Sequence, residues 1–269
     1  MASVLAFANH KGGCGKTTAV GNIGAALGEM GASVLLIDAD PQANLSELFG
    51  VGDPYAPGAR LEDALIRDEG TPVPEAWTSR LDEAGQSLSL PAGVSILPCT
   101  TELSSVVADN AAVPGFEFAL RRLTESYGAL YDYILIDTPP GLQPLSTQAL
   151  IAAQWVVVPA RPADFDVGGA VKVADLIETD IAALNPEIAI FGVLVCQSDR
   201  RWVLGRETEA ALDAASIRRL PDEVPFAIRV GSAPRYGRPT FALEPDSRVA
   251  SAYRRVASHV HDTLTAQAA

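Results

Sequence analysis

The stretch ASVLAFANHKGGCGKTT, residues 2–18, decides the fold. Ala2 to Asn9 is an aliphatic run that reads as a strand buried on both faces. Gly12, Gly13 and Gly15 make a tight turn, and Thr17 onward has helical spacing. A glycine turn between a strand and a helix N-terminus is a phosphate cradle: backbone N–H groups point inward, and the helix end favours anions. The cradle spans Gly12, Gly13, Cys14, Gly15, Lys16, Thr17 and Thr18. Lys16 would meet the β- and γ-phosphates of ATP, and the Thr17 hydroxyl would meet Mg²⁺. The usual pattern asks for glycine where this chain has His10, so the match is to the variant KGGxGK[ST], which carries a second lysine, Lys11.

Working outward, further β-branched and aliphatic runs occur at 33–40, 94–98, 131–138, 155–160 and 188–195. Helical spacing marks 16–30, 114–127, 145–153 and 167–184, and an amphipathic helix is expected over 246–266, with Val249, Tyr253, Val256, Val260 and Leu264 on one face. Strands alternating with helices imply an α/β fold: one mostly parallel, twisted sheet with helices on both faces. At 269 residues the chain fits a single P-loop domain, 1–269. The glycine- and proline-rich stretch 51–92 reads as a surface insertion in it.

Composition narrows the function classes. No apolar run reaches the roughly 18 residues of a membrane span, and the opening lacks a secretory signal, so a cytoplasmic location is expected. Cys14, Cys99 and Cys196 form no CxxC pair and read as reduced thiols. The formal charge of −13 opposes nucleic-acid binding, yet its distribution does not. Residues 1–199 hold 9 basic and 25 acidic side chains; residues 200–255 hold 11 basic and 7 acidic, and all 11 are arginine.

Three aspartates end apolar strands: Asp38 and Asp40 in LLIDADPQ, and Asp137 in YILIDT. A carboxylate there can hold Mg²⁺ through water or aim an attacking water. Pro139, Pro140 and Gly141 follow Asp137 and suit a segment that senses a γ-phosphate.

These motifs together resemble the ParA/MinD superfamily of deviant Walker ATPases, and within it the ParA (Soj-like) partition ATPases. KGGCGKTT is similar to the family's phosphate loop and LLIDADPQANLSELFG (35–50) to its switch I. YDYILIDTPPG resembles Walker B with switch II, and VPFAIRVGSAPRYGRPTFALEPDSRVASAYRRVASHV resembles the family ending. Two departures are Cys14, where valine is common, and Gly231–Ser232, where Ser-Glu is common.

The resemblance implies that Lys11 reaches the nucleotide of a second subunit, that Asp40 orients the attacking water, and that Asp38 and Asp137 support Mg²⁺ with Thr17. It points to Gln197 and Pro225 for the adenine. It implies a homodimer formed on ATP binding and non-specific double-stranded DNA as a ligand, with Arg200, Arg218, Arg219, Arg229 and Arg254 as candidate contacts. A ParB-like partner would stimulate hydrolysis, and the protein would associate with the nucleoid. A MinD-like membrane-associated role is the alternative; HVHDTLTAQAA, without lysine, arginine or a bulky aromatic, suits it poorly. An iron-sulfur reductase would need paired cysteines, and a ligase gives Lys11 no task. No helix-turn-helix precedes the loop within this sequence, so operator binding is not expected.

Overall fold

The computed structural model describes residues 1–50, 60–67, 80–81, 87–88, 93–141, 143–162, 167–198, 210 and 212–268. Six parallel strands form the sheet: β1 (Ser3–Phe7), β2 (Val34–Asp38), β5 (Val94–Leu97), β6 (Tyr133–Asp137), β7 (Trp155–Ala160) and β8 (Ala189–Val195). Their order is β5-β2-β6-β1-β7-β8, so the sheet is the parallel one expected. The small pair β3 (Arg80–Leu81) and β4 (Ser87–Leu88) is antiparallel, and with helix α3 (Leu61–Arg67) it is what is described of the stretch read as an insertion. The rest of 51–92 lies outside the described residues.

The apolar runs became strands because both faces are covered. Along β1, Val4 and Ala6 face one core layer while Leu5 and Phe7 face the other, as the two-residue period of a strand requires. The first layer packs under α3, α4 (Leu103–Asn110), α5 (Ala119–Tyr127), α6 (Pro144–Ala152) and α7 (Val167–Leu176). The second packs under α1 (Lys16–Glu29), α2 (Asn44–Leu48), α9 (Thr240–Leu243) and α10 (Arg248–Ala268), with α8 (Ile228–Ser232) before α9. Helix α10 begins and ends two residues later than expected and buries all five apolar residues of its stripe. Gly24 sits where α1 crosses the sheet: a Cβ there would stand 2.5 Å from Leu36 Cδ2, so glycine sets how near the helix lies.

At the starts of β7 and β8, away from the phosphate loop, Trp155 meets Phe191 edge-on with ring centroids 5.9 Å apart. His259 of α10 packs on the same ring at 5.8 Å, and the Arg218 guanidinium lies 5.2 Å from its centroid. At the opposite edge, β1 lies between β6 and β7, with successive chain crossovers leaving on either side of it. That is where parallel α/β sheets open a crevice for ligands. Asp38 and Asp137 are register partners across β2 and β6, and Phe7 pairs with Asp137 across β1 and β6. The strand order alone thus gathers the phosphate loop and both carboxylates.

Candidate nucleotide-binding site

The loop from Asn9 to Lys16 is fastened on three sides. Asn9 Nδ2 donates to the Pro159 carbonyl at 2.7 Å, while its Oδ1 accepts from Lys11 N at 3.0 Å. Gly141 N donates to His10 O at 3.1 Å, tying the segment after β6 to the loop. Gly15 caps α1 with φ at 99°, and a Cβ there would come within 3.3 Å of Cys196, so this turn needs glycine for conformation and for room. Lys16 Nζ donates to Lys11 O at 3.3 Å, and the Lys16 side chain is buried at the mouth of the loop.

Thr17 Oγ1 donates to Asp137 Oδ2 at 2.6 Å. Asp137 Oδ1 is buried without a hydrogen-bond partner among the described residues. An orphaned carboxylate oxygen beside a hydroxyl has the donor chemistry of a site for a hard cation. Burial first, then the neighbouring Asp38 charge, raises the Asp137 carboxyl well above the usual carboxylate range. A cation would relieve both.

Asp38, expected in the metal shell, has protein partners on both oxygens. Oδ2 accepts from Ser46 N and from Ser46 Oγ, each at 2.7 Å, and Oδ1 accepts from Asp40 N at 3.3 Å. Burial pushes its carboxyl up to about 6 against the pull of those donors. Asp40 faces the cavity, with Oδ1 accepting from Gln42 N at 3.0 Å.

A cavity of approximately 620 Å³ opens beside the loop. Its walls include Gly12, Gly13, Gly15, Lys16, Thr17 and Thr18, and also Asp40. Gln197 and Pro225 line it too, so the structure brings both expected adenine residues to the phosphate loop. Gln197 holds φ at 58°, unusual for a side-chain-bearing residue and a feature that clusters at ligand sites. Lys11 and Cys14 are not among the lining residues; Cys14 is buried, with Sγ donating to Lys11 O at 3.3 Å.

Sequence reasoning missed Asn22, Cys196, Phe226, Ile228 and Tyr253, which also line the cavity. Phe226 and Ile228 are exposed apolar residues in a proline-rich stretch, a signal that could have drawn notice.

None of the described candidate arginines reaches the cavity, and each has a partner within the chain. Arg218 Nε donates to Phe191 O at 2.7 Å; Arg219 pairs with Glu223; Arg229 Nε lies 3.1 Å from Glu244. Arg254 forks onto Glu29 at 2.6 and 2.8 Å and covers the Phe241 ring at 4.6 Å. Arg200 lies outside the described residues. Among the described residues, no helix is long and apolar enough to cross a membrane, and no cluster of three His, Cys, Asp or Glu side chains could hold a metal ion by itself.

A two-lysine phosphate loop at the centre of a parallel sheet, with aspartates ending the adjacent strand β6 and β2 beyond it, defines a P-loop ATPase of the ParA/MinD superfamily. The AAA domain family AAA_31 matches residues 2–190. Chromosome-partitioning ATPase Soj from Thermus thermophilus is 34% identical, over 95% of this chain and 94% of that protein. Chromosome partitioning protein ParA from Caulobacter vibrioides is 35% identical, over 96% and 93%. Among solved structures, cobyrinic acid a,c-diamide synthase from Mycobacterium smegmatis with bound ATP analog and magnesium superposes with a TM-score of 0.75 at 28% identity, covering 98% of this chain and 96% of that one. The chain belongs to the Soj/ParA family of chromosome-partitioning ATPases.

Proposed function

We propose that the protein binds ATP with Mg²⁺, dimerises around the nucleotide, holds double-stranded DNA without reading sequence, and releases it on hydrolysis stimulated by a ParB-like partner. It would thereby segregate chromosome or plasmid DNA from a cytoplasmic, nucleoid-associated position. The observation that carries this reading is the division of labour in the loop: Lys16 lines the chain's own cavity, whereas Lys11 does not. A lysine set outside its own site suits a cation supplied to a second subunit's phosphates.

In this reading Gly12, Gly13, Cys14 and Gly15 present backbone N–H groups to the phosphates, and Lys16, Thr17 and Thr18 complete the cradle. Gln197 and Pro225 flank the base. Thr17 and Asp137 would hold Mg²⁺, which supplies charge neutralisation at the β- and γ-phosphates. Asp40 orients the water that attacks the terminal phosphate. Arg218, Arg219, Arg229 and Arg254, together with Arg200, offer charge to DNA phosphates, and the candidates share no single helix.

Fluorescence anisotropy of a labelled random-sequence duplex tests the chain of claims, with Mg-ATP, Mg-ADP or no nucleotide at two salt concentrations. Binding confined to Mg-ATP, weakened by salt and lost in Lys11→Ala, is the expected result. Equal binding in every nucleotide state, or none at low salt, overturns it.

A further inference from the structure

We propose that Ser46 and Cys99 are positioning residues that hold Asp40 for hydrolysis through Asp38, so that Asp38 serves the switch loop rather than the metal. The inference rests on the ATPase reading above.

Asp40 is held by its backbone from both sides. Its N–H donates to Asp38 Oδ1 at 3.3 Å, and its carbonyl accepts from Cys99 Sγ at 3.1 Å and from Ala43 N at 2.8 Å. Asp38 cannot turn away, because Ser46 N and Oγ both grip Oδ2 at 2.7 Å. Ser46 closes the circuit: its hydroxyl gives its single proton to Asp38 and accepts from Cys99 N at 3.1 Å. Four residues from β2, the loop after it, α2 and the segment just after β5 therefore form one buried ring of hydrogen bonds, and all four side chains are buried.

The ring leaves Asp38 with three protein donors and Asp137 with an orphaned oxygen. The two carboxylates, side by side in register, are thereby assigned different tasks. Asp137 faces the Thr17 hydroxyl, while Asp38 faces the helix that follows the switch loop. A water aimed at a phosphorus atom tolerates little error in its guide, since a displacement of about 1 Å costs on the order of a hundredfold in rate. A guide on a loop needs such bracing.

The test measures Mg-ATP hydrolysis by the full chain, as kcat, KM for ATP and half-saturating Mg²⁺, for wild type, Ser46→Ala, Ser46→Thr and Asp38→Asn. Ser46→Ala removes a hydrogen bond to a buried charge and should lower kcat about tenfold or more, with KM and the Mg²⁺ requirement unchanged. Ser46→Thr should restore kcat, and Asp38→Asn should resemble Ser46→Ala. A raised Mg²⁺ requirement in Asp38→Asn, with kcat intact in Ser46→Ala, would return Asp38 to the metal and overturn the proposal. Alkylation of Cys99 in nucleotide-free protein, resolved by peptide mass, reads the ring without catalysis. Ser46→Ala should speed it about tenfold, and an unchanged rate also sinks the ring. If wild type hydrolyses no ATP, the ATPase reading fails, while the alkylation rates still decide whether the ring exists.

Discussion

Asp38 carries a titration that its burial makes measurable. Its carboxyl is raised from 3.8 to about 6 in the folded chain. A raised folded value means that the group favours the fold fully below the unfolded value and that this contribution is lost as pH climbs through about 6. Asp38→Asn does not titrate. Its stability deficit against wild type should therefore narrow as pH rises from 4 to 7, and loss of the Asp38 charge, which raises the Asp137 carboxyl, acts in the same direction. Urea unfolding of both proteins at the two pH values measures the difference, and a deficit constant with pH refutes the assignment. The aspartates themselves were visible in the sequence, because each ends an apolar strand. The separation of their roles was not, since Ser46 and Cys99 lie 8 and 61 residues beyond Asp38 and meet it only in the fold.

Among the elements, α1 carries both the phosphate loop's helical end and the tether to α9. Asn22, fully buried on α1, donates to Thr18 O and accepts from Phe241 N, both at 2.7 Å. Asn22→Ala leaves the Phe241 amide unsatisfied and should cost about 1–3 kcal/mol in chemical unfolding, with weaker nucleotide binding as the α9 wall shifts. Loss of less than about 0.5 kcal/mol would show that water replaces the side chain. The six sheet strands were legible because each is a short run dominated by β-branched and aliphatic residues, while α2, α8 and α9, of 5, 5 and 4 residues, are too short to show a helical period. The loop was legible because its parts are contiguous. The far wall of the cavity was not: Cys196 arrives at the end of β8, and Tyr253 from α10, through strand order and helix packing.

For the whole molecule, the formal charge of −13 opposes any polyanion, and the described candidate arginines have partners within the chain. Hydrogen bonding by Arg254 holds the Glu29 carboxyl below its usual range. If DNA engages this surface, it competes with that pairing. Glu29→Gln should then tighten Mg-ATP-dependent duplex binding by up to about fivefold, as fits an exposed pair. Arg254→Ala should weaken it and reduce the salt slope by about one. Anisotropy across a salt series separates the two effects, and an unchanged affinity in both variants would remove this end of α10 from the DNA face.

The cluster at the strand starts governs what intrinsic fluorescence can report. Of the chain's three tryptophans, Trp77, Trp155 and Trp202, Trp155 stands against Phe191 at the end of the sheet remote from the phosphate loop. Its emission should therefore report the integrity of the sheet. Single replacement of each tryptophan by phenylalanine would assign any nucleotide-dependent change in fluorescence, and Trp155→Phe is expected to leave such a change in place.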